Sequence, residues 1–231
     1  ARSFKPAAEQ IRAVLSERTR WLLVNTPGNP SGTVFDAGDW QAIGSVLAGN
    51  DQCWLMSDEI YEHLSYDTAF ISANQDLPQL RLQEDACLQC GICATICPED
   101  GVSKAYAMTG WRLGFGVGPE ELIKAMTAVQ AQGTSGTTTI SQAAALAALE
   151  GPQDLLIERC GIFRARRDLV ISRLGVMRGI TCPKPDGDFY VFRGWHDLKG
   201  GITPDGTRLE SDSDFCRYIL AAANVTIRAR R

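Results

Sequence analysis

The sequence predicts the α/β class, with helices layered on a mostly parallel sheet, and three observations carry that expectation. Two continuous apolar runs of strand length, Trp21-Leu22-Leu23-Val24 and Cys53-Trp54-Leu55-Met56, are separated by a helical pattern, so helix and strand alternate. Each run leads into a polar segment of turn formers or acids, and loops at the carboxyl ends of parallel strands are where such sheets bind ligands. At 231 residues the chain is long enough to bury a core and holds one large domain, or one domain and part of a second.

The elements follow in order. Ile11, Val14 and Leu15 recur at helical spacing within residues 6–16, ahead of the first strand. The loop Asn25-Thr26-Pro27-Gly28-Asn29-Pro30-Ser31-Gly32 holds two prolines and two glycines, which rules out regular structure. Residues 36–47 read as a helix capped by Asp36, with Trp40, Ile43 and Leu47 on one face and Gly49-Asn50 as its stop. The second apolar run ends in Ser57-Asp58, where an aspartate is either held ionised by a cationic partner or caps a following turn. His63, a few residues on, reads as a surface or structural hydrogen-bonding residue.

Residues 112–118 read as a strand, and Pro119 opens a helix with Glu120 and Glu121 at its positive end and Leu122, Ile123, Met126 and Val129 as its stripe. After a Gly/Ser/Thr loop at 134–139 come an alanine-rich helix over 141–150, closed by Gly151, and one long amphipathic helix over 152–174 with Gly161 as a weak spot. Turn chemistry over 181–187 precedes a strand at Phe189-Tyr190-Val191-Phe192, and residues 211–224 form a last helix capped by Ser211 or Asp212. The change of character near residue 175 places a boundary between domains of 1–174 and 175–231.

Composition excludes several partners. With 45% hydrophobic and 22% charged residues and a net charge of −4, the chain has no basic run beyond Arg164-Ala165-Arg166-Arg167, so nucleic acid is not expected. No apolar stretch approaches the roughly 20 residues of a membrane helix. The amino-terminal residues show no charged-then-apolar signal, and a cytoplasmic protein is expected. Ala1 in place of an initiator Met, and Arg228 to Arg231 directly after a strand-like Asn224-Val225-Thr226-Ile227, give the expectation of a fragment. Of eight cysteines, Cys53, Cys160, Cys182 and Cys216 are scattered among apolar neighbours and read as small core residues.

The stretch with most chemistry is Gly101-Val102-Ser103-Lys104-Ala105-Tyr106-Ala107-Met108-Thr109-Gly110-Trp111-Arg112. A lysine eight residues before an arginine suits an amine nucleophile beside an anion-binding cation; the plainer alternative is a surface pair flanking a strand. The string resembles the pyridoxal-phosphate attachment signature of the class I aminotransferases. The loop 25–32 and the segment Ser57-Asp58-Glu59-Ile60-Tyr61 are similar to two further elements of that family, in the same order.

The resemblance implies an incomplete three-layer α/β/α large domain of pyridoxal-phosphate-dependent transferases followed by the start of an α+β small domain. It implies a Schiff base on Lys104, a cofactor phosphate held by Arg112 with Ser103, a ring nitrogen paired with Asp58, and a ring oxygen held by Asn29 and Tyr61. Amino acids and 2-oxo acids are the implied substrates, and a homodimer with shared active sites the implied assembly.

Residues 81–100 depart from that pattern. They contain Cys87, Cys90, Cys93 and Cys97 in the order Cys-x2-Cys-x2-Cys-x3-Cys-Pro, which resembles the 4Fe-4S segment of bacterial ferredoxins, although no second copy of the motif exists. The alternative is that Ile92 to Cys97 is itself the buried strand due before the lysine, with its thiols packed as small apolar groups.

Overall fold

The computed structural model describes residues 4–67, 102–116 and 119–229. Its elements are α1 (Ala8–Val14), β1 (Trp21–Asn25), α2 (Ala37–Leu47), β2 (Trp54–Asp58), α3 (Val102–Ala105), α4 (Glu120–Gly133), α5 (Thr139–Glu150), α6 (Asp154–Gly175) and α7 (Asp212–Ala223). The expected cysteine cluster, Cys87, Cys90, Cys93 and Cys97, lies outside the described residues.

β1 and β2 pair in parallel, Trp21 opposite Trp54 and Asn25 opposite Asp58. Side chains alternate across a strand, so each face of this pair carries every second residue. Val24, Leu22 and Leu55 pack with Ile11 of α1 and Trp40, Ile43 and Val46 of α2. The other face carries Trp21, Leu23 and Trp54, with Leu23 63% exposed. The continuous apolar runs therefore mark strands buried on one face among the described residues, not on both. Val14 also faces solvent, because α1 turns Ile11 and Ala8 toward that core.

α2 forms as its sequence dictates. Asp36 accepts a hydrogen bond from the Asp39 amide at 3.0 Å, and Asp39 returns one from the Asp36 amide at 2.9 Å, satisfying two donors that a helix start leaves open. Lys5 reinforces that corner through Asp39 at 2.5 Å.

Two expected strands are absent among the described residues. Residues 112–116 hold no strand: Arg112 adopts a left-handed conformation with φ of 52°, and Leu113 turns into a core with Val102, Met108 and Ala145. The Leu113 carbonyl takes its hydrogen bond from the Ser103 hydroxyl at 2.9 Å instead of a strand neighbour. Residues 189–192 are likewise irregular; Phe189 and Tyr190 serve as rings against Tyr61, at 5.2 and 6.4 Å between centroids. The strand-like residues 224–227 are also without regular structure. A short apolar run leaves both burial and pairing to the available partner: Leu113 is buried, while Phe189, Tyr190 and Val225 stay exposed.

The chain divides into two compact units, Ala1–Arg167 with Lys184–Val191, and Asp168–Pro183 with Phe192–Arg231. In the second unit Trp195 stacks on Phe215 of α7 at 5.1 Å and donates its indole N–H to Asp212 at 2.7 Å. Ser211 caps α7 through the Asp214 amide. Among the described residues no helix is long and apolar enough to cross a membrane.

Candidate active site

The carboxyl ends of β1 and β2 are tied side by side. The Thr26 amide donates to the Asp58 carbonyl at 3.0 Å, and the Asn25 side-chain amide reaches the same oxygen at 3.3 Å. The Asn25 side-chain oxygen in turn accepts the Asn29 amide at 2.6 Å, which fixes where the loop turns. From there Asn29 Nδ2 donates to the Tyr61 hydroxyl at 3.3 Å, joining two residues that lie 32 positions apart in the chain.

The loop holds this position by close backbone approach. Gly32 adopts φ of +67°, and its carbonyl accepts the amides of Asp186 and Gly187, both at 2.8 Å. A Cβ on Gly32 would lie 2.2 Å from Pro185 Cβ, so only glycine fits. Gly187 is equally confined, its notional Cβ falling 2.6 Å from the Leu64 carbonyl. Three segments, 25–32, 61–66 and 185–190, thus close on one another at the end of the parallel pair.

Tyr61 is buried, and its environment raises the phenol's pKa above the usual range. Burial is the main cause, the charge of Asp188 adds to it, and the hydrogen bond from Asn29 opposes both. Asp58 stands at the end of β2, partly buried, its Oδ1 receiving the Ile60 amide at 3.4 Å, a weak turn contact. Lys104 sits on the single turn α3, partly buried, between Ser103 and Ala105, which are both buried and anchor it. Ser103 commits its hydroxyl to Leu113, and Arg112 is exposed, with Nη1 on the Thr109 carbonyl at 3.1 Å.

The structure therefore brings Asn29 and Tyr61 into direct contact, sets Asp58 beside the loop that carries Asn29, and links Ser103 to the residue after Arg112. Beside Tyr61 lies a residue that sequence reasoning passed over, Asp188, whose amide is held by the Leu64 carbonyl. Its carboxyl is 1% exposed and pushed up to about 7, chiefly by burial; the Phe189 amide and the charge of Lys104 act against that rise. The available signal was an acid set between a turn glycine and an aromatic pair, Gly187-Asp188-Phe189-Tyr190.

His63 pairs with Glu62 at 3.3 Å and meets the Tyr106 ring edge-on, in keeping with a structural part. Of the scattered cysteines only Cys53 is buried; Cys160, Cys182 and Cys216 are partly exposed, so the core reading holds for one of four. Cys160 instead donates its thiol to the Ser65 carbonyl at 3.2 Å. Among the described residues no group of three or more His, Cys, Asp or Glu side chains could hold a metal ion. A cavity of about 590 Å³ is lined by His63, Leu156, Cys160 and Arg164 and by none of the predicted site residues.

A family profile described as aminotransferase class I and II matches residues 1–231. Over 224 residues the chain is 45% identical to an aspartate aminotransferase of Rhizobium meliloti strain 1021, covering 97% of this chain and 52% of that protein. It is 41% identical over 226 residues to a probable aspartate/prephenate aminotransferase of Rhizobium leguminosarum bv. phaseoli, covering 97% and 54%. The crystal structure of the aspartate aminotransferase from Rhizobium meliloti superposes with a TM-score of 0.84 at 43% identity, over 96% of this chain and 53% of that one. The chain spans about half the length of the curated relatives it matches.

Proposed function

The chain belongs to the class I and II aminotransferases, and on that premise we propose that it carries the cofactor-binding part of an enzyme moving an amino group between an amino acid and a 2-oxo acid. Its fold is the α/β fold of pyridoxal-phosphate-dependent transferases of fold type I, of which it spans part. In this reading residues 1–174 belong to the large domain and 175–231 begin the small one.

The observation that carries the proposal is the gathering of an amide–phenol pair and a carboxylate at the carboxyl ends of two parallel strands, Asn29 on Tyr61 at 3.3 Å beside Asp58. That donor set fits pyridoxal 5'-phosphate: neutral donors for a ring oxygen, an anion for a ring nitrogen, and on the neighbouring segment a primary amine and an exposed guanidinium. When bound, the cofactor supplies an aldehyde for an amine and a ring that draws electrons from the substrate α-carbon.

The chain's own residues do the rest. Lys104 is the amine that would hold the cofactor's aldehyde and whose nitrogen would move a proton at the substrate α-carbon. Asp58 is the carboxylate that would pair with the ring nitrogen. Asn29 and Tyr61 orient the ring through its oxygen, and Arg112 holds the phosphate through charge-assisted hydrogen bonds. Ser103, by fastening Leu113 to α3, keeps Arg112 and Lys104 in register. The names of the relatives make aspartate the first amino donor to try, and the family resemblance makes a homodimer the assembly to look for.

Incubating the protein with pyridoxal 5'-phosphate, reducing with borohydride and mapping the adduct by mass spectrometry tests this reading. A phosphopyridoxyl group on Lys104, lost in Lys104→Ala, is the expected result; an unmodified Lys104 overturns it. A second reading, a 4Fe-4S site at Cys87, Cys90, Cys93 and Cys97, is supported by their spacing. Anaerobic reconstitution with iron and sulfide should then give a paramagnetic signal on reduction, and a silent, iron-free sample removes it.

A further inference from the structure

Lys104 stands on very little helix. α3 runs from Val102 to Ala105, a single turn, far too short to be stable alone in water. Its backbone bonds are long, 3.2 Å from the Tyr106 amide to the Val102 carbonyl and 3.3 Å from the Ala107 amide to the Lys104 carbonyl. Ala107, at φ of 57°, then ends it. On one side of the lysine, Ser103 ties the turn to Leu113. On the other, the Ala105 carbonyl lies at the end of the turn, where a helix leaves such oxygens without an internal donor.

α6 supplies that donor. Arg159 Nη1 donates to the Ala105 carbonyl at 2.9 Å, across 54 positions of the chain, and Gln153, just before α6, accepts the Tyr106 hydroxyl at 2.6 Å. Gln153 is itself fixed, its Nε2 donating to the carbonyls of Ala148, Leu149 and Gly151 at the end of α5. The same helix repeats this device further along. Cys160 donates to the Ser65 carbonyl, Arg164 to that of Tyr66 and Arg167 to that of Pro185. Positions 160, 164 and 167 share one helical face, and Phe163 beside them packs against Ile60, Tyr61 and Leu64. One side of α6 thus holds backbone carbonyls of three segments: the lysine turn, the segment after β2 and the turn before Asp188.

We propose that Arg159 is a positioning residue for Lys104, its guanidinium completing the carboxyl end of the lysine turn and so setting the direction in which the amine leaves it. The inference deepens the reading of Lys104 as the reactive amine and rests on it. A hydrogen bond from a cation is stronger than one between neutral groups, and the planar guanidinium fixes its direction as well. Without it the Ala105 carbonyl turns to water, the single turn frays, and the amine spends its time in directions that do not lead to reaction. A displacement of about 1 Å at a reacting group lowers its rate by roughly a hundredfold, so a contact that never touches the cofactor still governs the chemistry.

The test uses two carbonyl probes on the intact chain. Formaldehyde with cyanoborohydride methylates amines and needs neither ring nor phosphate; its rate at Lys104, mapped by mass spectrometry, is read against that at Lys124, exposed on α4. Pyridoxal 5'-phosphate with borohydride reads the same amine under the geometry of the site. Arg159→Met keeps the side-chain stem and removes the donors. In it the frayed turn is expected to raise Lys104 methylation roughly threefold relative to Lys124 and to lower phosphopyridoxyl labelling roughly tenfold. Arg159→Lys, which keeps a cationic donor, returns both toward the wild type. Arg159→Leu replaces the Met variant if circular dichroism shows that one unfolded. A methylation ratio unmoved by the apolar variant overturns the proposal, as does a loss of labelling that Arg159→Lys shares in full. A wild type whose Lys104 takes no phosphopyridoxyl group removes the proposed function, and the methylation ratio then decides the role of Arg159 by itself. A labelled wild type with an unmoved ratio sinks this inference and leaves that function standing.

Discussion

Asp67 and Asp188 show how one residue type is driven in opposite directions within the same unit. Asp67 lies at the surface between Lys184 and Arg167, each at 2.8 Å, and their hydrogen bonds, Lys184's first, hold its carboxyl down at about 2. Asp188 has no such partners at Oδ2 among the described residues, and burial pushes it up to about 7. The consequences for stability have opposite sign. Asp67 contributes stabilisation that is present above about pH 4 and lost as pH falls through about 2. Asp188 favours the folded state below about pH 4, and that contribution is lost as pH rises through about 7. Melting temperatures taken from pH 2 to 8 should therefore show Asp67→Asn destabilising near neutrality and harmless near pH 2. Asp188→Asn should flatten the decline between pH 4 and 7, and parallel profiles for both variants and the wild type would refute the account. Asp36 and Ser211 were legible as caps because a cap needs only its own neighbours in sequence. Nothing near Asp188 in the chain announced that Leu64 and Tyr66 would bury it, since they lie more than 120 positions away.

Among the elements, α2 is where pattern and packing agree best. Its expected apolar face is present, with Val46 taking the buried place and Leu47 lying at the margin, and Trp40 is fully enclosed, its ring 5.4 Å from that of Phe35. Trp40→Ala should cost about 3–5 kcal/mol in denaturant unfolding, whereas Ser211→Ala, which removes only the cap of α7, should cost about 1 kcal/mol. A Trp40 variant as mild as the cap variant would mean that this core is not the one that holds α1, α2 and the parallel pair together. The helices expected after Pro119, over 141–150 and over 152–174 also formed, as Glu120–Gly133, Thr139–Glu150 and Asp154–Gly175, although the stripe of α4 buries only Ile123 while Val129 stays 76% exposed. Of the strands expected at 112–118 and 189–192, neither formed among the described residues. Leu113 is buried against Val102, Met108 and Ala145 without a ladder, whereas Phe115, Phe189 and Tyr190 remain exposed, so a short apolar run fixes neither burial nor a strand.

At the scale of the whole molecule, an acidic chain of 231 residues with net charge −4 matches the class I and II aminotransferases along its length while spanning about half of each relative. The sequence by itself determined the α/β class, the order of the loop, the aspartate–tyrosine element and the lysine segment, and the family those three motifs indicate. It could do so because glycine, proline, capping acids and apolar periodicity act over a few residues, where chain connectivity alone sets the geometry. Only the tertiary structure decided that Asn29 reaches Tyr61, that Ser103 serves Leu113, and that Asp188 is buried at the end of the parallel pair, with one oxygen lacking a donor among the described residues. Those outcomes depend on which distant backbone groups close around a side chain, and burial of that kind has no signature in the local text.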